Sequence, residues 1–375
     1  MPDKNTTNKI SNTAKCDIII LVWNELEATK DCISSILKNT ETPYRLIIID
    51  NASQPEARDY LAGLREKFKD LTIVRNEENL GYVKAVNQGI KLSSSEFVCL
   101  LNNDTIVCRG WLGEMLNIAV NNFQLGIINP SSNTLAQALP KKYTLEAYAE
   151  SLNIFKGQWA ELGQCSGFCM LIRREVINKI GLFDETYEVG YFEESDYCRR
   201  AQRAGYQFAR AKAAYVYHIE RASFKNLSDK EKIFNKNRKL FESRWGRSLR
   251  ILCLISKPPK DIIDKDEMDQ IIMNSAKDNH RVYVYIRKKL VSEFNLPEHS
   301  NILIFPFNDI FYPLASFLKI ITKKHTKRFN LILIDGLIFY HILKWFAFIH
   351  KAKIMFSPHL ERAIEASQKE SFGKK

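Results

Sequence analysis

The most informative stretch of this 375-residue sequence reads Tyr44-Arg-Leu-Ile-Ile-Ile-Asp50. A short apolar run rich in β-branched residues is typical of a strand buried on both faces, and this one ends in an acid. Similar runs occur at residues 17–22, 71–75 and 96–101, and segments with helical spacing of apolar residues lie between them. This alternation predicts an α/β fold with a mostly parallel sheet and helices on both faces.

Polar residues follow the predicted strands where each one ends. Asn24 follows the first strand, Asp50-Asn51 ends the second, and Asn102-Asn103-Asp104 ends the fourth. Ligands of such sheets bind beyond the carboxyl ends of the strands. One strand-end carboxylate can hold Mg²⁺ or Mn²⁺ when a substrate diphosphate supplies further oxygen ligands. A second acidic cluster, Glu193-Glu194-Ser195-Asp196, lies downstream and supplies candidates for proton transfer.

Charge is distributed unevenly along the chain. The formal net charge is +12, yet residues 1–218 are close to neutral and the remainder carries about +13. A basic second half suits an anionic partner such as a phosphorylated substrate, a phospholipid surface or nucleic acid. No helix-turn-helix or zinc-knuckle motif is recognisable, so we expect no nucleic-acid partner. A nucleic-acid-binding protein and an inactive scaffold of the same fold remain the alternative functions.

No segment of the sequence has the pattern of a membrane span or a secretion signal. Residues 1–15 are polar and are predicted to form a disordered tail. The most apolar stretch, 331–356, is interrupted by Asp335, His341, Lys344 and His350, so it fails the test of about 18 uninterrupted apolar residues. We expect a cytoplasmic protein, with peripheral contact to the inner face of the cell membrane as an alternative.

Several motifs occur in a characteristic order. They read Ile-Ile-Ile-Leu-Val-Trp-Asn24, Ile-Asp50-Asn51-Ala-Ser53, Asn79-Leu-Gly81-Tyr, Asn87-Gln-Gly89, Asn102-Asn-Asp104-Thr, Gly167-Phe-Cys-Met-Leu-Ile-Arg173, Tyr191-Phe-Glu-Glu-Ser-Asp196 and His218. Together they resemble the family 2 glycosyltransferases of the GT-A fold, and within that family the rhamnosyltransferase-like branch. The resemblance covers residues 16–246.

The resemblance implies a transferase of polysaccharide biosynthesis in the bacterial cell envelope. The implied reaction is an inverting, metal-dependent transfer of a hexosyl or rhamnosyl group from a dTDP- or UDP-linked donor to a hydroxyl of a growing surface polysaccharide or a lipid-linked glycan. It further implies nucleotide-sugar contacts from Asn24, Asp50, Asn51, Asn79, Lys84 and Asn103.

The resemblance also implies the metal ligands and the catalytic base. Asp104 and His218 would bind the cation, Mg²⁺ or Mn²⁺. Glu194 is the candidate general base, although family members have Asp at its position, and Glu193 and Asp196 remain alternatives.

A fresh alternation of strands and helices begins near residue 250. We therefore predict three regions: the tail 1–15, a GT-A glycosyltransferase domain 16–249, and a smaller Rossmann-like α/β domain 250–375. The last region weakly resembles the first half of a GT-B glycosyltransferase. It is either part of a longer two-enzyme protein or an appendage that positions the acceptor or touches the membrane.

Overall fold

The computed structural model describes residues 16–135, 137–220, 230–259, 262–294, 296 and 298–356. The chain forms two compact units that divide between Phe241 and Glu242. The predicted tail 1–15 lies outside the described residues. The predicted domain boundary at 249/250 falls a short way after this division, and the domain limits stay predictions.

The first unit is built on a nine-stranded sheet. Its strands are β1 (Cys16–Val22), β2 (Tyr44–Asp50), β3 (Leu71–Arg75), β4 (Phe97–Asn102), β5 (Thr105–Val107), β6 (Leu125–Ser131), β7 (Trp159–Leu162), β8 (Cys169–Arg173) and β9 (Gln207–His218). Their spatial order is β3-β2-β1-β4-β8-β6-β9-β5, with β7 paired to β9. The predicted α/β fold is confirmed. The sheet is parallel over β3, β2, β1 and β4, and mixed beyond them, because β8 pairs antiparallel with both β4 and β6.

Helices cover both faces of this sheet. They are α1 (Leu26–Asn39), α2 (Pro55–Ala62), α3 (Tyr82–Leu92), α4 (Trp111–Asn121), α5 (Leu145–Ser151), α6 (Arg174–Ile180), α7 (Glu193–Arg203) and α8 (Lys230–Trp245), the last of which crosses the division between the units. The main core contains the alternate residues Ile18 and Ile20 of β1 and the fully buried Trp111 of α4.

One glycine fixes how closely α3 packs on the sheet. A Cβ atom at Gly89 would lie 2.5 Å from Cγ2 of Ile19, which is too close for any other residue. Glycine at this position therefore lets α3 pack directly against β1.

The second unit is a smaller α/β layer structure. Its strands are β10 (Arg250–Ile255), β11 (Arg281–Arg287), β12 (Ile302–Phe307), β13 (Leu331–Ile334) and β14 (Lys353–Phe356), and its helices are α9 (Ile262–Lys277), α10 (Tyr312–Ile321), α11 (Leu337–Trp345) and α12 (Ala347–His350). All pairs are parallel, in the order β12-β11-β10-β13-β14. This order is that of a Rossmann-like half, as predicted. Among the described helices, none is long and apolar enough to cross a bilayer.

Candidate active site

The loops that follow β1 and β2 are tied to each other. Asn24 and Glu25 have left-handed backbone conformations, with φ of 59° and 48°. The backbone N–H of Asn24 donates to Oγ of Ser53 (2.9 Å), and Oδ1 of Asn24 accepts from the N–H of Gln54 (2.8 Å). Asn24 therefore helps to shape the strand-end edge, where the nucleotide is expected.

Asp50 at the end of β2 is a buried carboxylate with protein partners on both oxygens. Its exposed fraction is 2%, and it pairs with the guanidinium of Arg75 at the end of β3. Its other oxygen accepts from the N–H of Ser53 (2.9 Å), and Arg75 also donates to the carbonyl of Ser53 (3.1 Å). Asp50 thus orders this loop, and its predicted contact with the nucleotide stays a prediction.

Asn51 is the centre of a hydrogen-bond cluster that shapes residues 76–81. Its Nδ2 donates to Oδ1 of Asn79 (2.6 Å), and its Oδ1 accepts from the N–H of Leu80 and from Nδ2 of Asn76 (3.0 Å each). Oδ1 of Asn79 accepts in turn from the N–H of Gly81 (2.9 Å). Two predicted site residues, Asn51 and Asn79, are therefore in contact and fix the start of α3.

Tyr82, the first residue of α3, marks the point where the predicted acids converge. Burial raises the pKa of its phenol, and the nearby charges of Glu193, Glu194 and Asp104 raise it further. Acids from the β4–β5 turn and from the start of α7 therefore lie near one half-buried tyrosine side chain. Lys84 is exposed on the same first turn of α3.

Asp104 and His218 form a pair across two antiparallel strands. Oδ1 of Asp104 lies 3.2 Å from Nε2 of His218, and Thr105 is the register partner of His218. The imidazole stacks on the ring of Phe168 with centroids 5.4 Å apart. Asn133 holds the backbone of His218 from both sides, donating to its carbonyl (2.9 Å) and accepting from its N–H (2.8 Å). The ring is held against the carboxylate.

Asn103 holds the β4–β5 turn against α1. Its Nδ2 donates to Oγ1 of Thr29 (2.9 Å), which itself donates to the carbonyl of Glu25 (3.0 Å). The predicted contact of Asn103 with the nucleotide sugar stays a prediction, whereas its role in supporting Asp104 is visible in these contacts.

The Asp104–His218 pair fits two positions in the coordination shell of a divalent cation. Ligand atoms about 2.1 Å from an octahedral ion lie about 3 Å apart when they are adjacent, close to the 3.2 Å separation of Oδ1 and Nε2. Within the described ranges, no group of three His, Cys, Asp or Glu side chains converges as a metal site. The remaining ligands would have to be substrate oxygens or water, as is usual for Mg²⁺ at phosphate-binding sites.

Glu193 and Glu194 form an acid pair on the first turn of α7, in which Glu193 is buried and Glu194 is half-buried. Glu193 is 7% exposed, and its Oε2 makes no hydrogen bond to any described residue. Burial is the main cause that raises the pKa of both carboxyl groups, and the charge of Glu194 raises the pKa of Glu193 further. Such a pair holds a proton to a higher pH than an ordinary glutamate and titrates as a unit.

Asp196 is engaged differently from its neighbours. Its Oδ2 accepts from Nε of Arg200 (2.8 Å), one turn further along α7, and Oδ1 accepts from the hydroxyl of Tyr187 (3.4 Å). Arg200 also donates to the carbonyls of Ile180 and Leu182 (2.8 and 2.9 Å). Of the three acids considered as the base, Asp196 is thus held in an ion pair that ties α7 to the loop after α6.

The loop before the acid pair has an unusual backbone. Glu188, Tyr191 and Phe192 all have positive φ (51°, 70° and 72°), as does Gly190 (137°). Non-glycine residues rarely adopt this conformation, and it persists only where surrounding contacts enforce it. We call residues 188–192 the acid-pair loop.

Helix α8 supplies the contacts that hold the acid-pair loop. Nδ2 of Asn237, which is 1% exposed, lies 2.8 Å from the carbonyl of Tyr187, 2.7 Å from that of Gly190 and 3.3 Å from that of Tyr191. The ring of Phe234 packs against Tyr191 and Phe192, with centroids 5.5 and 5.3 Å away. These contacts set the direction in which α7 begins and hence the position of its two glutamates.

Three residues of the site were not identified from the sequence. Tyr82 directly follows the Asn79-Leu-Gly81 motif, and this place at a strand-end edge is a usable signal. Arg75 could have been found from register, because it is the parallel partner of Asp50. Asn237 lies far along the chain from the acid-pair loop, and no local pattern marks it.

A separate cavity of about 1010 Å³ lies at the C-terminal end of α1 and the N-terminal end of α4. Its lining includes Lys38, Arg109, Glu114 and Glu146, and none of the predicted site residues lies on it. We therefore place the candidate site at the strand-end edge, where the predicted residues meet.

Comparison with protein families gives a match over the first part of the chain. Residues 17–181 match the model described as "Glycosyl transferase family 2", the family that the sequence motifs resemble. The match ends before Glu193, Glu194 and His218, so it does not test their roles. The predicted rhamnosyltransferase-like branch also stays a prediction.

Curated relatives include poly-beta-1,6-N-acetyl-D-glucosamine synthases of Staphylococcus aureus and Staphylococcus epidermidis. Each is 28% identical over 171 residues, which is 44% of this chain and 41% of the relative. The chain thus spans about two fifths of the length of these relatives.

Three of the solved structures to which the chain is similar contain nucleotide ligands. GalNAc-T7 with UDP, GalNAc and Mn²⁺ is 17% identical, and the match covers 60% of this chain and 48% of that chain with a TM-score of 0.48. The Pyrobaculum calidifontis mannosyltransferase PcManGT with GDP-Man and Mn²⁺ is 16% identical, and the match covers 56% of this chain and 59% of that chain with a TM-score of 0.45. S. aureus TarS 1–349 with UDP-GlcNAc is 16% identical, and the match covers 61% of this chain and 73% of that chain with a TM-score of 0.43. Because these TM-scores are below 0.5, the site is interpreted from the chain's own geometry.

Proposed function

We propose that this chain is an inverting, metal-dependent glycosyltransferase that moves a sugar from a nucleotide-diphosphate donor to a hydroxyl of a bacterial surface polysaccharide or a lipid-linked glycan. One observation carries the proposal: the charges of Asp104, Glu193 and Glu194, from distant parts of the chain, all raise the pKa of the Tyr82 phenol, so the three acids lie in its neighbourhood. A carboxylate suited to a metal and a carboxylate suited to proton transfer would then act on one bound donor and acceptor.

The nucleotide end of the donor would lie along the ends of β1 and β2. Asn24, Asp50, Asn51 and Asn79 shape this edge through the contacts described above. The N-terminus of α3 points its free N–H groups toward the same region, and such a terminus favours anionic oxygens. The family match at residues 17–181 includes all four residues and supports this placement.

Asp104 and His218 would hold the divalent cation, Mg²⁺ or Mn²⁺. When bound, such an ion neutralises negative charge on the leaving diphosphate. His218 stacks on Phe168, and its backbone makes two hydrogen bonds with Asn133. These contacts hold the imidazole nitrogen close to the carboxylate of Asp104. Little reorganisation is then needed when the site fills.

Glu194 would act as the general base. The acceptor oxygen attacks the anomeric carbon on the face opposite the diphosphate, a new glycosidic C–O bond forms, and the bond to the diphosphate breaks with its electron pair leaving on the nucleotide. The acceptor proton passes to the carboxylate of Glu194. Inversion follows because a single displacement occurs from the opposite face. Glu193, which is 7% exposed beside the half-buried Glu194, would keep the base in a poorly solvated environment.

The test is a thermal-shift panel of nucleotide sugars, with and without Mn²⁺. UDP-N-acetylglucosamine and a dTDP-linked rhamnose are the first donors, chosen from the curated relatives' printed product and from the predicted branch. A donor at 100 times its Kd should stabilise the protein by about 2.7 kcal/mol.

Asp104→Asn is the matched variant for this panel, because it keeps size and loses the charge. It should abolish the Mn²⁺-dependent part of the shift and leave the unliganded Tm within a few degrees. If no nucleotide sugar shifts the Tm with or without the ion, the proposed activity is wrong. A donor shift without turnover on any glycan acceptor would instead favour the inactive-scaffold alternative.

A further inference from the structure

Helices α10, α11 and α12 of the second unit expose large apolar side chains that its core does not use. We call these residues and their surroundings the α10–α12 face; they are Ile310, Phe311, Leu314, Leu318, Leu337, Ile338, Ile342, Trp345 and Phe348. Trp345 and Ile338 are each 80% exposed, which is far more than packing on the sheet requires. Isolated exposed apolar residues are ordinary, whereas a contiguous group marks an interaction surface.

The exposed side chains on α11 form one stripe. Ile338, Ile342 and Trp345 are spaced i, i+4 and i+7, so they share one side of the helix, while Leu343 is fully buried on the other. The apolar face that packs on the sheet is thus distinct from the stripe that faces solvent.

Helix α10 carries a second stripe, and the two are joined. Leu314 and Leu318 are spaced i and i+4 and are exposed, whereas Tyr312, Ser316 and Ile320 of the same helix are buried. Between the helices, the ring of Phe317 contacts that of Phe346, with centroids 5.1 Å apart. The α10–α12 face is therefore one surface across neighbouring helices.

The charge around this face is almost entirely positive. Residues 310–353 contain eight Lys and Arg residues and a single acid, Asp335. The carboxylate of Asp335 accepts hydrogen bonds from the N–H and Oγ of Ser256 (2.6 Å each) and from the N–H of Lys257 (2.9 Å). The carboxylate of Asp335 is therefore bound to the residues that follow β10. Lys344 and Lys351 are exposed beside the apolar stripes.

We propose that the α10–α12 face docks on an anionic phospholipid surface. Protein elements that lie in the lipid headgroup region combine aromatic and aliphatic side chains with flanking lysines. Their apolar groups reach about 5–10 Å deep, and their cations lie near lipid phosphates. Attachment of this kind needs no spanning helix. A protein partner fits less well, because lysine is depleted at protein–protein interfaces.

The proposal is independent of the transfer reaction and is tested on the full chain by vesicle flotation. Wild type should float with vesicles of phosphatidylcholine and phosphatidylglycerol and bind vesicles of phosphatidylcholine alone at least about tenfold more weakly. The double variant Trp345→Ser with Phe348→Ser should lose at least about tenfold of the binding to anionic vesicles.

The chain offers a matched control in the first unit. Phe123 and Ile154 are each 77% exposed, and changing both to Ser removes similar apolar area without touching the α10–α12 face. This control should float as wild type does. Reversing two charges, Lys344→Glu with Lys351→Glu, should weaken anionic binding about tenfold or more while leaving the unfolding curve unchanged.

The fluorescence of the Trp345 indole gives a direct test of membrane contact. Brominated anionic lipids should quench part of the wild-type tryptophan emission, and Trp345→Phe should remove that quenched part. The proposal is overturned if wild type binds neither kind of vesicle, or if the Trp345/Phe348 variant floats like the control. It is also overturned if the variant only converts a dimer to a monomer in light scattering, because the face then joins two copies of the chain.

Discussion

Two acidic positions in the first unit show opposite ways of burying a carboxylate. Asp50 is buried beside the guanidinium of Arg75, and both of its oxygens have protein partners. Glu193 is buried beside the half-buried Glu194, and Oε2 of Glu193 has no hydrogen-bond partner in the described part of the chain. A compensated acid stabilises the loop that it holds. Burial and mutual repulsion disfavour the charged form of an acid pair, and such pairs are found where their proton is used.

The largest expected effect concerns proton transfer by the acid pair, in contrast to the structural role of Asp50. Glu194→Gln keeps the size of the side chain and cannot accept the acceptor proton, so turnover should fall by about 100- to 10,000-fold. Donor binding, measured as a thermal shift, should persist. Asp50→Asn is the comparison variant, and we expect it to change donor affinity and stability more than turnover of bound donor. Near-normal turnover in Glu194→Gln would assign the base to another residue.

The pH profile of turnover tests whether the raised pKa of the acid pair matters for catalysis. A base must be deprotonated to act, and the pKa of both glutamates is raised by burial. Turnover should therefore fall on acidification at a pH above the ordinary glutamate range of about 4.3. Glu194→Asp, which restores the family's residue, should keep this limb, whereas Glu194→Gln should lose it with most of the activity.

The next effect concerns the helix that holds the acid-pair loop. Asn237→Ala removes the donor to three carbonyls of a loop with three non-glycine residues at positive φ. A displacement of about 1 Å costs up to about 100-fold in rate, so we expect turnover to fall about tenfold or more while the donor-induced thermal shift changes little.

Lys236→Ala is the control for the Asn237 variant, because its ion pair with Glu188 is exposed and surface pairs contribute little. It should behave like wild type. If Asn237→Ala lowers stability yet leaves both turnover and its pH profile unchanged, α8 has only a structural role.

Much of this arrangement could be predicted from residues close in sequence. The strand Tyr44–Asp50 and the helix Tyr82–Leu92 have the bounds that apolar spacing predicts, because both patterns are local. The same reasoning located Asp104 and the Glu193–Glu194 pair, since each follows a recognisable strand or opens a helix.

The parts that were missed depend on pairing between distant segments. The mixed half of the sheet arises because β8 inserts antiparallel between β4 and β6, and no local pattern states that order. Whether an acid is compensated is also a long-range property. Asp50 finds Arg75 on the next strand, and Asn237 reaches the acid-pair loop from a separate helix.

The smallest expected effect is on stability, and its sign differs between the two positions. The raised pKa of Glu193 means that its contribution to stability is present below about pH 4 and is lost as the pH rises through the raised value. Glu193→Gln should therefore raise the free energy of unfolding by about 1 kcal/mol at alkaline pH and have no effect near pH 4. Arg75→Leu should lower it by about 1–3 kcal/mol, less than for a fully buried pair because Arg75 is partly exposed. Urea unfolding of both variants at several pH values measures this, and a loss of stability in both would mean that the acid pair is compensated in the folded protein after all.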